Sequence, residues 1–313
     1  MAKIAVLMLN PSVDIMLEFD EFIKTKTNRV KESIRHMGGK GLNVSLVARS
    51  FGLSVCATGF IGRDEEAELA GMLKEADIEN EFVVIEGVTR TNFKLLDKKE
   101  GSVTEVNGQG FNINKQKQAE LEKVLDKCLR GVDILVLTGS LPEGIDVDFY
   151  AKCIDKANEK GIKTVLDASG EALKLALLKK PYAIKPNIDE LSELAGKPLN
   201  NDAQITEMIK KLLSDGISMI TVSMGEKGAF FAKDGKIVHA KAFDINFKSA
   251  VGAGDSMVGA ICYSIANGET LERTARLGIS AGCITTSKPA TNLCSAREVL
   301  ANEERVEILE MVI

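Results

Sequence analysis

Short apolar runs alternate along this chain with segments of helical periodicity, and the alternation limits the fold more than any other feature. Ile4 to Leu9, Val55 to Ile61, Ile134 to Leu137, Thr164 to Leu166 and Ile217 to Val222 read as strands. Leu121–Leu129, Tyr150–Lys160 and Ile205–Ser214 read as helices that each stop near a glycine: Gly131, Gly161 and Gly216. Leu42, Leu46, Val47 and Phe51 share one helical face ahead of Gly52, and an acidic helix is expected from about Asp64 to Ala76. Strand, helix, strand at this spacing implies crossover connections and a sheet covered on both faces. The expected fold is therefore α/β: a doubly wound, mostly parallel sheet with helices on both faces. Such sheets take their ligands at the carboxyl ends of the strands.

Two segments break the rhythm. Residues 12–36 and about 88–107 carry short alternating patterns, as in Arg90-Thr91-Asn92-Phe93-Lys94-Leu95 and Val103-Thr104-Glu105-Val106. Charges alternate with apolar positions too often for a buried parallel sheet. These segments are expected to add antiparallel strands, either as plain surface hairpins or as a small β lid over the strand ends that can also pair two copies.

Composition removes several classes of function. The 313 residues are 45% hydrophobic, ample for a core, and carry a formal charge of −5, so no basic footprint for nucleic acid is present. No apolar stretch is long enough to span a bilayer, and Met1-Ala2-Lys3 ahead of a short apolar run is too little for a signal peptide. A cytoplasmic protein is expected. Cys56, Cys128, Cys153, Cys262, Cys283 and Cys294 are scattered without a C-x-x-C pair and are expected as reduced, mostly buried thiols. His36 and His239 are the only histidines, which leaves little for a zinc site or a Ser-His-Asp triad.

The densest chemistry lies in Val251-Gly-Ala-Gly-Asp-Ser-Met-Val-Gly259. Gly252, Ala253 and Gly254 leave backbone amides uncovered ahead of a helix, which makes an anion site, and Asp255 stands on the first turn of that helix. Anion donors beside a base are what phosphoryl transfer to a hydroxyl requires. The plainer reading of Asp255 is a helix-start residue after a glycine turn. Gly38-Gly39-Lys40-Gly41 ahead of Asn43 permits close approach of backbone to a sugar hydroxyl or phosphate, or is simply a tight turn into a helix. Neither G-x-x-x-x-G-K-[ST] nor a G-x-G-x-x-G after the first strand occurs, so a nucleotide must be held otherwise. Ser223-Met224-Gly225-Glu226-Lys227-Gly228 and Lys185-Pro186-Asn187 are the candidates. Asn187 and Glu190 could face one Mg²⁺ shell, mostly through water, or could only cap a helix.

In this order the motifs resemble the ribokinase-like (PfkB) sugar kinases over essentially the whole length. The matching residues are Asn10-Pro11-Ser12-Val13-Asp14, Gly38 to Asn43, Gly139-Ser140-Leu141-Pro142, Lys185-Pro186-Asn187 with Glu190, Ser223 to Gly228, and Gly252 to Asp255. The resemblance implies one ribokinase-like domain over residues 1–313 with the lid inserted in it, and ATP and Mg²⁺ as cofactors. It implies Asp255 as the base that deprotonates the acceptor hydroxyl and Gly252, Ala253 and Gly254 as the anion hole. Asp14, Gly38, Gly39, Lys40, Asn43, Asn92 and Ser140 would bind the sugar phosphate, with Arg90 on its phosphate. Lys185, Asn187, Gly254 and the Ser223–Gly228 loop would serve ATP, and Glu190 a hydrated Mg²⁺. Within the family, Thr89-Arg-x-Asn-x-Lys-Leu95 and Asp167-Ala-Ser-Gly-Glu-Ala-Leu173 look most like 1-phosphofructokinase. Ile4–Asp14 and Thr27-Asn28-Arg29-Val30 look equally like tagatose-6-phosphate kinase. Fructose 1-phosphate is the expected acceptor, with tagatose 6-phosphate or fructose 6-phosphate as alternatives, and a non-catalytic sugar-phosphate sensor as the rival from another class. Ser249 stands where many relatives carry an Asp near a monovalent-cation site, so K⁺ is not implied. The adenine pocket is expected around Ala281 to Asn292.

Overall fold

The computed structural model describes residues 2–289 and 292–311. In chain order the strands are β1 Lys3–Met8, β2 Ser12–Phe19, β3 Glu32–Gly38, β4 Ser54–Gly62, β5 Glu79–Ile85, β6 Thr91–Asp97, β7 Ser102–Asn107, β8 Ile134–Thr138, β9 Lys163–Asp167, β10 Ala183–Ile184, β11 Met219–Ser223, β12 Ala229–Lys233, β13 Lys236–Ala240 and β14 Ile308–Met311. The helices are α1 Lys40–Ser50, α2 Glu66–Glu75, α3 Lys115–Cys128, α4 Phe149–Glu159, α5 Gly170–Leu177, α6 Ile188–Ala195, α7 Asp202–Ser214, α8 Ala253–Asn267, α9 Leu271–Thr286 and α10 Ala296–Asn302.

Ten strands form one sheet in the order β14-β13-β12-β11-β10-β9-β8-β1-β4-β5. From β5 to β11 every neighbour is parallel, and β12, β13 and β14 close the far edge antiparallel. The period-2 alternation of each strand feeds two cores, one per face. Ala5, Leu7, Leu135 and Leu137 pack with Phe149 and Tyr150 of α4, whereas Ile4, Val6, Ile134 and Val136 pack with Leu42 of α1 and Val258 of α8. The doubly wound sheet expected from the alternation is thus the observed one. Its edge strands were not expected. β5 opens on the exposed Glu79, Asn80 and Glu81, which mask the strand pattern, and β12 and β13 form a hairpin without crossover helices.

The two irregular segments form a second sheet in the order β3-β2-β6-β7. Its hairpins β2/β3 and β6/β7 are antiparallel, but they join through β2 and β6, which run parallel with Asp14 opposite Asn92. The expectation of purely antiparallel strands is corrected here. The two hairpins leave the large sheet at different points, so the chain between them is long enough for a parallel crossover. Among the described residues, no helix is long and apolar enough to cross a membrane.

The cysteines need one correction. Cys153, Cys262, Cys283 and Cys294 are free and buried, but Cys56 of β4 and Cys128 at the end of α3 pair as a disulfide, with Cα atoms 6.4 Å apart. The two are 72 residues apart in sequence. Only the packing of α3 against β4 brings them together, so spacing along the chain gives no sign of the pair.

Candidate active site

Two glycine-headed helices meet at the carboxyl ends of the central strands. The first is α1, whose N-cap Gly39 has φ 115°, and the second is α8, whose N-cap Gly252 has φ 76°. Both conformations are left-handed and costly for any residue with a Cβ. At Gly39 a Cβ would also lie 3.1 Å from the Pro11 Cα. The helices pack closely because Gly259 of α8 lies under Val47 of α1, where a Cβ would sit 2.7 Å from Val47 Cγ1. That approach brings Asn43 to Asp255: Asn43 Nδ2 donates to Asp255 Oδ2 at 2.8 Å.

Asp255 is buried, and its pKa is pushed up to about 6. Loss of hydration is the main cause and the nearby negative charge of Asp167 the second. Lys40, the Asn43 bond and Lys185 oppose the rise without cancelling it. A carboxylate held there is ionised at neutral pH yet basic enough to take a proton. Upstream, the N–H of Ala253 donates to the Ala250 carbonyl at 3.3 Å, a long turn bond, while the amides of Gly252 and Gly254 make no such bond. Lys185 lies beside this helix head; a Cβ on Gly254 would be 3.5 Å from its Nζ.

Across the cleft, a cavity of about 190 Å³ is lined by Asn10, Pro11, Gly39, Lys40, Arg90 and Ser140, among others. Arg90 is aimed by three carbonyls: its Nε donates to Pro11 O at 3.2 Å, Nη1 to Gly108 O at 3.3 Å and Nη2 to Asn10 O at 3.1 Å. Three of its five N–H groups are thereby used, and the guanidinium they hold belongs to a residue lining the cavity. Asn10 Nδ2 donates to Ser140 Oγ at 3.0 Å and fixes that hydroxyl on the same wall.

The second sheet contributes Asp14 and Asn92. Asp14 Oδ1 accepts from Ser12 Oγ at 2.7 Å and from Asn92 Nδ2 at 2.9 Å; Oδ2 accepts from Lys94 Nζ at 2.7 Å. Burial alone would raise the Asp14 pKa, but the Lys94 ammonium and the other two donors hold it below the usual carboxylate range. Gly38 leaves room for this carboxylate, since a Cβ there would sit 2.7 Å from Asp14 Cγ.

The segments expected to serve the nucleotide also come together. Ser223 N donates to Pro186 O at 3.1 Å and Ser223 bridges Asn187, so the Lys185–Asn187 turn and the Ser223–Gly228 loop are neighbours. Met224 N closes that loop on Gly228 O at 2.8 Å, and Glu226 and Lys227 are exposed. Asn187 and Glu190 form a capping box on α6: Asn187 Oδ1 accepts from Glu190 N at 2.8 Å and Glu190 Oε2 from Asn187 N at 2.9 Å. Ser249 Oγ accepts from Val251 N at 3.2 Å. In the segment expected around the adenine, Ala290 and Thr291 lie outside the described residues. Nearby, Leu293 packs on Gly252 and lines a second cavity with Leu46 and Lys288.

Two residues of the site were not singled out from the sequence. Lys94 neutralises Asp14 from inside the second sheet; its period-2 spacing from Asn92 puts both on the Asp14 face. Asp167 ends β9, and a carboxylate at the carboxyl end of a central strand is the available signal. Its Oδ2 accepts from Lys40 Nζ at 3.0 Å and from Thr138 Oγ1 at 3.1 Å, and its Oδ1 is 3.0 Å from Lys185 Nζ. Burial works against its charge, but the two lysines hold the pKa down at about 2.

A model of the pfkB family carbohydrate kinases matches residues 8–298. Tagatose-6-phosphate kinase from Staphylococcus epidermidis is 33% identical over 311 residues, which is 98% of this chain and 100% of that protein. Phosphofructokinase-2 from Escherichia coli in complex with substrates and products superposes with a TM-score of 0.90 at 27% identity, over 97% of this chain and 99% of that one. The same enzyme with fructose-6-phosphate gives a TM-score of 0.88 at 27% identity and the same coverage. The class is therefore a kinase of ribokinase-like fold, a phosphotransferase with an alcohol acceptor that uses ATP. Within that class the chain belongs to the pfkB family of carbohydrate kinases.

Proposed function

We propose that the chain phosphorylates a ketohexose phosphate, with fructose 1-phosphate converted at its C6 hydroxyl to fructose 1,6-bisphosphate. The observation that carries the reading is the buried Asp255, bonded to Asn43 and set in the first turn of an anion-binding helix with Lys185 alongside. Asp255 takes the proton of the acceptor hydroxyl. The amides of Gly252 and Gly254, and that of Ala253 once its long bond to Ala250 opens, meet the charge on the transferring phosphoryl group. Arg90, Lys40 and Ser140 hold the phosphate already on the sugar; Asp14, Asn92, Gly38, Gly39 and Asn43 orient its hydroxyls. Lys185, Asn187 and the Ser223–Gly228 loop hold ATP. One Glu190 oxygen is taken by the helix cap, and a single carboxylate of this kind suits a Mg²⁺ that keeps most of its waters. The ion would screen the phosphate charges of ATP. The second sheet acts as a lid that excludes water.

Tagatose 6-phosphate is the second acceptor to consider, favoured by the full-length similarity to tagatose-6-phosphate kinase. Side-by-side kcat/KM values for fructose 1-phosphate, tagatose 6-phosphate and fructose 6-phosphate decide among them, and the highest value is expected with fructose 1-phosphate. Turnover of none of the three would leave a sugar-phosphate sensor as the reading. We also propose that two copies pair through the outer face of the lid, where Ile15, Phe93 and Val106 lie in one cross-strand row and Phe93 and Val106 are exposed. E. coli phosphofructokinase-2 has a tetrameric inhibited form, which supports assembly in this group. Sedimentation of a Phe93→Asp variant tests the pairing: a monomer is expected.

A further inference from the structure

Asp167 has no part in the proton or phosphoryl transfer just described, yet it is 2% exposed and touches both halves of the cleft. Lys40, on one of its oxygens, lines the cavity with Arg90 and Ser140. Lys185, on the other, stands beside the α8 head at Gly254. A buried carboxylate is expensive to desolvate even with two ammonium groups on it, Lys185 buried and Lys40 exposed, and simple packing of β8 and β9 does not need it. Those strand ends are already held: Gly139 N donates to the Asp167 carbonyl at 3.0 Å, and the Tyr150 hydroxyl reaches the Thr138 and Gly139 carbonyls at 3.1 and 3.0 Å.

We infer that Asp167 is a positioning residue that couples the sugar half-site to the nucleotide half-site, by holding Lys40 and Lys185 on one carboxylate. An anion drawn to either lysine weakens that lysine's bond to Asp167, and the carboxylate then pulls harder on the other. The charged and titratable groups facing it are Lys40 of α1, Lys185 after β10, Asp255 of α8 and Tyr150 of α4, with the neutral Thr138 hydroxyl of β8.

The inference rests on the kinase reading, so its test begins with the unaltered protein, ATP and the three sugar phosphates. If none is turned over, that reading fails and the inference fails with it. If turnover is found, Asp167→Asn keeps the shape and removes the charge. KM is expected to rise about threefold or more for both ATP and the sugar phosphate, as for residues sharing one network. The acid limb of kcat is expected to move to lower pH, because Asp255 loses a like-charged neighbour. A purely structural defect would not shift that limb downward. Unchanged KM values, or an unmoved limb, overturn the inference and leave the kinase reading standing. Should Asp167→Asn not fold, Lys40→Met provides the second reading. Although Lys40 lies on the sugar side, the KM for ATP is expected to change about threefold or more; an unchanged value overturns the coupling.

Discussion

Replacing Asp255 by Asn should stabilise the protein while abolishing turnover. The side chain is buried with a pKa raised from 3.8 to about 6, so folding takes up a proton between those two values. In that window the native state binds more protons than the unfolded state, and stability falls as the pH rises. The accumulated cost of keeping the carboxylate ionised at pH 7 is about 3 kcal/mol, at 1.36 kcal/mol per pKa unit. An amide in its place has no charge to desolvate, and its oxygen can still accept from Asn43. The same linkage roughly halves the advantage of Asp255→Asn at pH 5 and leaves it under about 1 kcal/mol at pH 4. Urea unfolding of both proteins at the three pH values measures it, with kcat as the companion readout. A variant no more stable at pH 7, or a gain that does not shrink on acidification, would refute the electrostatic account of this carboxylate. Near-normal kcat would refute its role as base.

The pH–rate profile is expected to show an acid limb near the raised value of about 6, with kcat falling about tenfold from pH 7 to pH 5; a base of ordinary pKa would lose only about 6%. Arg90→Ala should raise the sugar-phosphate KM roughly 10- to 100-fold with a much smaller change in kcat, because a charge-assisted contact to phosphate is lost; an unchanged KM places the phosphate elsewhere. Lys94→Met leaves Asp14 buried with only Ser12 and Asn92 as donors, and should cost about 3 to 5 kcal/mol in urea unfolding at pH 7. Folding lowers the Asp14 pKa, so the pair's contribution is complete above the ordinary value of 3.8 and fades as the pH drops through the lowered one. The variant should therefore lose less stability on acidification than the parent.

What the sequence shows and what it hides follow from the range of the interactions. β1, β4, β8, β9 and β11 announce themselves because buried parallel strands are continuous apolar runs. The head of α8 is equally plain, since its left-handed N-cap at Gly252 leaves a glycine signature a few residues long. β5 is obscured by its charged first residues, and the Cys56–Cys128 pair by the length of chain between them. Asn187 with Glu190 supports two readings from spacing alone, and the capping box on α6 accounts for their mutual geometry whatever else they bind.

The hardest element to read was the division of labour between two acids. Asp167 and Asp255 both lie at the carboxyl end of the sheet, both are buried, and both feel Lys40 and Lys185. One pKa goes down to about 2 and the other up to about 6. Burial pushes both the same way, so the divergence comes from contact. Lys40 and Lys185 lie 3.0 Å from Asp167 oxygens, whereas Asp255 receives only the neutral amide of Asn43. Charge–charge energy falls with distance, so the acid in contact stays ionised below the usual carboxylate range and the other is left more basic. Sequence places each carboxylate within a motif, but whose oxygens the two ammonium groups reach is decided by the closure of α1 and α8 over β9. The raised pKa of Asp255 is thus set as much by the lysines that pass it over as by the helix that carries it.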